Sequence, residues 1–89
     1  MKYAVIINEI KFGAITQLDK KLYSSEAEAQ EMAEKSATEL IDTLNKFYKD
    51  KKYTYTKKKK TIGKSEFYIN SIWENDKIFA CLEIIEFEE

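Results

Sequence analysis

The 89 residues are 44% apolar and 35% charged, the balance of one folded domain spanning 1–89 rather than a disordered chain; a domain this size buries only about 60–65% of its unfolded surface. All 15 cationic residues are lysines and there is no histidine, which removes the commonest general base and the bidentate guanidinium clamp for phosphate or guanine. A lone cysteine, Cys81, excludes an intramolecular disulfide and a Cys/His metal site, and fits a reducing, cytoplasmic setting.

Lys2–Asn8 reads as the first strand. Tyr3, Val5 and Ile7 alternate with Ala4 and Ile6, so both faces are apolar and the strand belongs in the middle of a sheet. Its apolar run stops at Asn8 and Glu9, too short for a membrane span or a signal peptide. Between Glu9 and Tyr23 the pattern weakens. Gly13 offers a turn, after which Ala14–Leu18 or Lys20–Tyr23 pairs back as a short edge strand.

One long helix follows, from Ser25 to about Lys49. Ser25 and Glu28 have the spacing of a capping box, and no Gly or Pro interrupts the stretch. Ala33, Ala37, Leu40, Leu44 and Phe47 form an apolar stripe, widened by Met32, Ile41 and Tyr48. The stripe spans only about three heptads before strands resume, so it is read as core packing and not as a coiled-coil seam. It grows from alanines to Leu, Ile and Phe, which predicts that its C-terminal half anchors the core.

Lys51–Thr61 alternates Tyr53 and Tyr55 with Thr54 and Thr56, then runs into four lysines and a turn at Gly63. Asn75-Asp76 reads as a two-residue hairpin loop of type I′. That loop pairs Glu74 with Lys77 and opposes Trp73 to Ile78, Ser71 to Ala80, Ile69 to Leu82 and Phe67 to Ile84 on one face. The fold class is therefore α+β. It is a small antiparallel, or mixed, sheet of about four strands with the helix on one face, in the order β-(β)-α-β-β-β.

In this register the helix covers Phe67, Ile69 and Trp73, and the other face turns Tyr68, Ile72, Phe79, Cys81 and Ile85 outward. A single helix covers one face only, so these five residues are the candidate interface for a protein partner or a second copy. The second candidate is the basic segment. Lys49–Lys64 holds eight lysines against Asp50, a net charge of +7 in a chain of net −1. Tyr53 and Tyr55 beside Lys57, Lys58, Lys59 and Lys60 are a possible stacking and anion platform for nucleic acid or a nucleotide, or a contact for an acidic partner.

Catalytic chemistry finds no support. Cys81 has no base to activate it. Glu83, Glu86, Glu88 and Glu89 make an acidic tail without a second ligand cluster, and Trp73 with Phe67 reads as core. The expectation is a small non-enzymatic binding or inhibitory module, homo-oligomeric, without cofactor, metal or membrane, whose alternative is a nucleic-acid or nucleotide-binding protein. In style, as a short, lysine-rich, proline-free chain, it resembles the accessory proteins of phages and mobile elements, some of which inhibit host defence enzymes.

Overall fold

The computed structural model describes residues 1–10, 12–18 and 20–88; Lys11, Asp19 and Glu89, the last residue of the acidic tail, lie outside the described residues. Five strands form one antiparallel sheet: β1 (Lys2–Glu9), β2 (Ala14–Gln17), β3 (Tyr53–Ile62), β4 (Ser65–Glu74) and β5 (Lys77–Phe87). Their spatial order is β2-β1-β5-β4-β3, and α1 (Glu26–Phe47) lies across one face. The α+β class and the element order are those of the sequence reading, with one strand more. Ala14–Gln17 pairs with β1, and Tyr23 adds a separate bridge, exchanging both backbone hydrogen bonds with Tyr3. The first strand is therefore interior, flanked by β2 and β5.

Ser25 caps α1, its hydroxyl accepting the Glu28 N–H at 3.2 Å. The Glu28 carboxylate accepts from the Ser24 hydroxyl at 3.3 Å. Ala29, Ala33 and Ala37 are fully buried, because only a methyl group lets the helix axis sink onto the sheet. Leu40, Ile41 and Leu44 are half-buried at the margin of the core, and Phe47 and Tyr48 are exposed. This corrects the expectation that the C-terminal half anchors the helix. The alanine half sits closest to the sheet, and the larger side chains lie beyond the core's densest part.

The β4–β5 hairpin begins in the predicted register, Glu74 opposite Lys77 and Trp73 opposite Ile78. Asn75 has φ of +55° and Asp76 does not share the left-handed region, so the loop is not type I′. Next comes a β-bulge. Ile72 pairs with Ala80, Ser71 with Cys81 and Asn70 with Leu82, leaving Phe79 as a surplus residue on β5. Phe79 and Ala80 both turn toward the helix. The β4 pattern is consequently the reverse of the one expected: Ile72 and Asn70 face the helix, whereas Phe67, Ile69, Ser71 and Trp73 face away.

The core is built from Val5, Ile7, Tyr23, Tyr53, Ile72, Phe79, Ala80 and Leu82 under the three helix alanines. Phe79 meets the Tyr53 ring edge-on at 5.5 Å between centroids. Asn45 of α1 closes part of the exposed β3 edge. Its side chain accepts the Tyr53 N–H at 2.9 Å and donates to the Tyr53 carbonyl at 3.1 Å, which occupies backbone groups that a foreign strand would otherwise take.

Candidate protein-docking surface

Among the described residues no second layer covers the face opposite the helix. Alternation and pairing place on it Ile6 and Ala4 of β1, Cys81, Glu83, Ile85 and Phe87 of β5, Phe67, Ile69 and Trp73 of β4, and Thr56, Lys58 and Lys60 of β3. Ile69, Ile78 and Ile85 keep 36%, 39% and 36% of their surface in water, and Phe87 keeps 46%. Isolated exposed apolar residues are ordinary, but this is a contiguous field across neighbouring strands.

The two middle strands also diverge. Pairing of β4 with β5 stops at Asn70 and Leu82, while β4 stays paired to β3 as far as Ser65 and β5 to β1 as far as Phe87. The β3–β4 hairpin beyond Asn70 therefore projects as an arm. Between the arm and β5 lies a cleft of about 490 Å³, lined by Glu26, Phe67–Asn70 and Cys81–Ile85.

Of the five residues predicted to form the interface, Cys81 and Ile85 do face away from the helix. Cys81 is half-buried. Ile72 and Phe79 do not: they are 0% and 9% exposed within the core. Tyr68 lies on the helix side, where its ring takes the Lys57 ammonium at 4.8 Å. The bulge at Phe79 is the cause, since it exchanges the two faces of β4 relative to β5 from Ala80 onward. The residues missed are Phe67, Ile69, Trp73 and Ile78, and no turn-forming residue marks the bulge in the sequence.

The basic segment is divided between faces. Lys57 and Lys59, on the helix side, pair with Glu34 at 2.8 Å and Glu66 at 2.9 Å. The Glu34 hydrogen bond is the main reason that the Lys57 pKa is raised. Lys58 and Lys60 point to the bare face, and among the described residues neither has an ion-pair partner in the chain. Tyr53 and Tyr55 offer no stacking platform. Tyr53 is 4% exposed and donates its hydroxyl to Glu74 at 2.8 Å; burial first, then that bond, push its pKa up to about 12. Tyr55 is half-buried under α1 and donates to Asn70 Oδ1 at 2.5 Å. Burial and the Glu34 charge raise it likewise to about 12.

That last bond belongs to a buried polar group the sequence reading missed. Gln30 and Asn70, 8% and 1% exposed, pair amide to amide beneath the helix. A signal existed, because Gln30 stands three and seven residues before Ala33 and Ala37, on the stripe itself.

Among the described residues no group of three or more acidic or Cys side chains is placed to share a metal ion, and no helix is long and apolar enough to cross a membrane. Comparison with protein-family models, characterised proteins and solved structures gives no match.

Proposed function

We propose that this chain is a non-enzymatic binding module that works by pressing its bare sheet face against a protein surface. The observation that carries this is the five-stranded sheet covered by a helix on one side only, with Ile69, Ile78, Ile85 and Phe87 left exposed on the other. Such a face is too apolar and too continuous to be ordinary solvent-facing sheet. The module acts by occupancy, as do the phage and mobile-element accessory proteins it resembles in style, and an inhibitory role follows if the surface it covers is a working one. A lone cysteine with no partner to form a disulfide, Cys81, is in keeping with work in a reducing, cytoplasmic compartment.

The nucleic-acid alternative loses support because Tyr53 and Tyr55 are engaged under the helix and Lys57 and Lys59 already hold acids. The test compares the tagged chain with its Ile69→Lys variant in affinity capture from the native host, alongside titration of labelled oligonucleotides at physiological salt. A protein retained by the wild type and lost by the variant, with oligonucleotide binding no tighter than about 10 μM, is the expected result. Submicromolar oligonucleotide binding that collapses when Lys57–Lys60 become Gln would overturn the proposal.

A further inference from the structure

We propose that the occupant of the bare face is a second copy of this chain, docked about a two-fold axis that runs along β4. This deepens the docking-face reading above and rests on it. The first observation is surface area. The chain exposes 6366 Å², whereas a compact monomer of 10.5 kDa exposes about 5,400 Å². The excess of roughly 900 Å² matches the ~800 Å² that each partner buries in a stable interface. The same excess appears in the dimensions, 43 × 29 × 22 Å with a radius of gyration of 13.5 Å, against about 12 Å for a compact chain of this length.

The second observation is charge, and it selects the axis. Lys58 pairs across β3–β4 with Ile69. Asn70 pairs with Leu82, the last pair before β4 and β5 diverge; one residue beyond it stand Ile69, still paired with Lys58, and Glu83 across the mouth of the cleft. All three point to the bare face. Among the described residues neither Lys58 nor Glu83 has an ionic partner in its own chain.

Rotation by 180° about an axis along β4 leaves this level unchanged and exchanges its two ends. β3 of each copy then lies over β5 of the other, and Lys58 meets Glu83 of the second copy twice over. Ile69 and Phe67 meet their own counterparts at the axis. Face-to-face sheets stand about 10 Å apart and align to within about 30°, a gap that isoleucine and phenylalanine side chains fill from both sides. The cleft where β4 and β5 diverge opens at this point, and it receives the apolar side chains that cross the axis. One level away the aliphatic stem of Lys60 lies over Ile85. The arrangement is isologous, as a closed dimer requires.

The test is sedimentation equilibrium on the full chain from low micromolar to millimolar concentration, with charge-swap variants. The wild type should reach twice 10.5 kDa. Lys58→Glu and Glu83→Lys are surface changes whose circular dichroism should match the wild type. Each should weaken self-association about tenfold or more by setting like charges opposite one another. Their equimolar mixture should associate more tightly than either variant alone, because one of the two contacts is then inverted to an attractive pair and the other is the native Lys58–Glu83 pair. A wild type that remains monomeric throughout, or a mixture no tighter than its components, overturns the proposal. If the chain is monomeric but Ile69→Lys still loses a captured protein, the second copy is excluded and the docking face stands. If neither effect is seen, both readings fall.

Discussion

Gln30 and Asn70 face each other amide to amide across the helix–sheet interface, Gln30 Nε2 donating to Asn70 Oδ1 at 2.8 Å and Asn70 Nδ2 to Gln30 Oε1 at 3.0 Å. The Tyr55 hydroxyl completes the group. All three residues come from different elements, so the network fixes how far α1 lies along the sheet, which alanine methyls alone do not specify.

Removing one member should therefore cost more than removing a pair. Asn70→Ala strands the Gln30 amide and the Tyr55 hydroxyl, and it should destabilise the fold by about 2–4 kcal/mol, the penalty for buried groups left unpaired. Replacing both Gln30 and Asn70 with leucine should cost clearly less than the two single changes added together. Urea unfolding with an unchanged slope measures both; simple additivity would show that the pair is not coupled.

The helix should be most sensitive where its side chains are smallest. Ala33→Leu or Ala37→Leu pushes α1 off the sheet and should cost about 1–3 kcal/mol. Leu44→Ala, half-buried at the margin, should fall below the range of about 2–5 kcal/mol that a fully buried leucine shows. Lys35→Ala should stay within about 0.5 kcal/mol. Chemical denaturation ranks the three, and a larger loss at Leu44 than at either alanine would contradict the packing described.

The two faces of β5 should separate in thermal unfolding. Phe79→Ala removes a buried ring and should cost about 3–5 kcal/mol, lowering the midpoint by more than 12 °C at roughly 4–8 °C per kcal/mol. Ile78→Ala, at the neighbouring position on the opposite face, should shift the midpoint by only a few degrees. The reverse order, a larger shift at Ile78 than at Phe79, would restore the unbulged register and contradict the bulge.

Two of the six tyrosines should ionise late. Tyr53 and Tyr55 are held near 12, above the ordinary value of 10.0, so the folded state prefers their protonated form. Below pH 10 folded and unfolded chains both keep these protons, and the associated stability is fully present. Between about pH 10 and 12 the unfolded chain releases them first, and stability falls with rising pH. Ultraviolet titration of phenolate should show the late pair. Tyr53→Phe and Tyr55→Phe should each remove one late step, and a single transition of all the tyrosines near 10 would refute the assignment.

How much of this was legible follows from what each signal encodes. Ser25, Glu28 and the alanine–leucine stripe specify a helix locally, and the helix forms where they place it. Asn75-Asp76 marks the hairpin loop for the same reason. The depth to which α1 sinks is not local: it depends on the absence of a Cβ branch at Ala29, Ala33 and Ala37 and on what lies beneath them. Side-chain size along the stripe therefore misled. The faces of β4 were illegible because Phe79 is as good a strand residue in one phase as in the other. Gln30 and Asn70 read singly as surface amides, and their pairing exists only after residues 40 positions apart are brought together.

The bulge also decides where this chain tolerates a change of length. Loss of one residue from a strand ordinarily inverts every side chain beyond it. At Phe79 it does not, because Lys77–Ile78 and Ala80–Phe87 already stand in the phases they would have if residue 79 were missing. Its deletion straightens the strand and takes a ring from the core, yet leaves both surfaces facing as they do now. Loss of Cys81 can be taken up by the same straightening: Phe79, Leu82 and Ile84 keep the helix face and Glu83 the other, and only Ala80 is turned out. Drift in chain length by one residue is absorbed around the bulge, which a strand of unbroken alternation could not do.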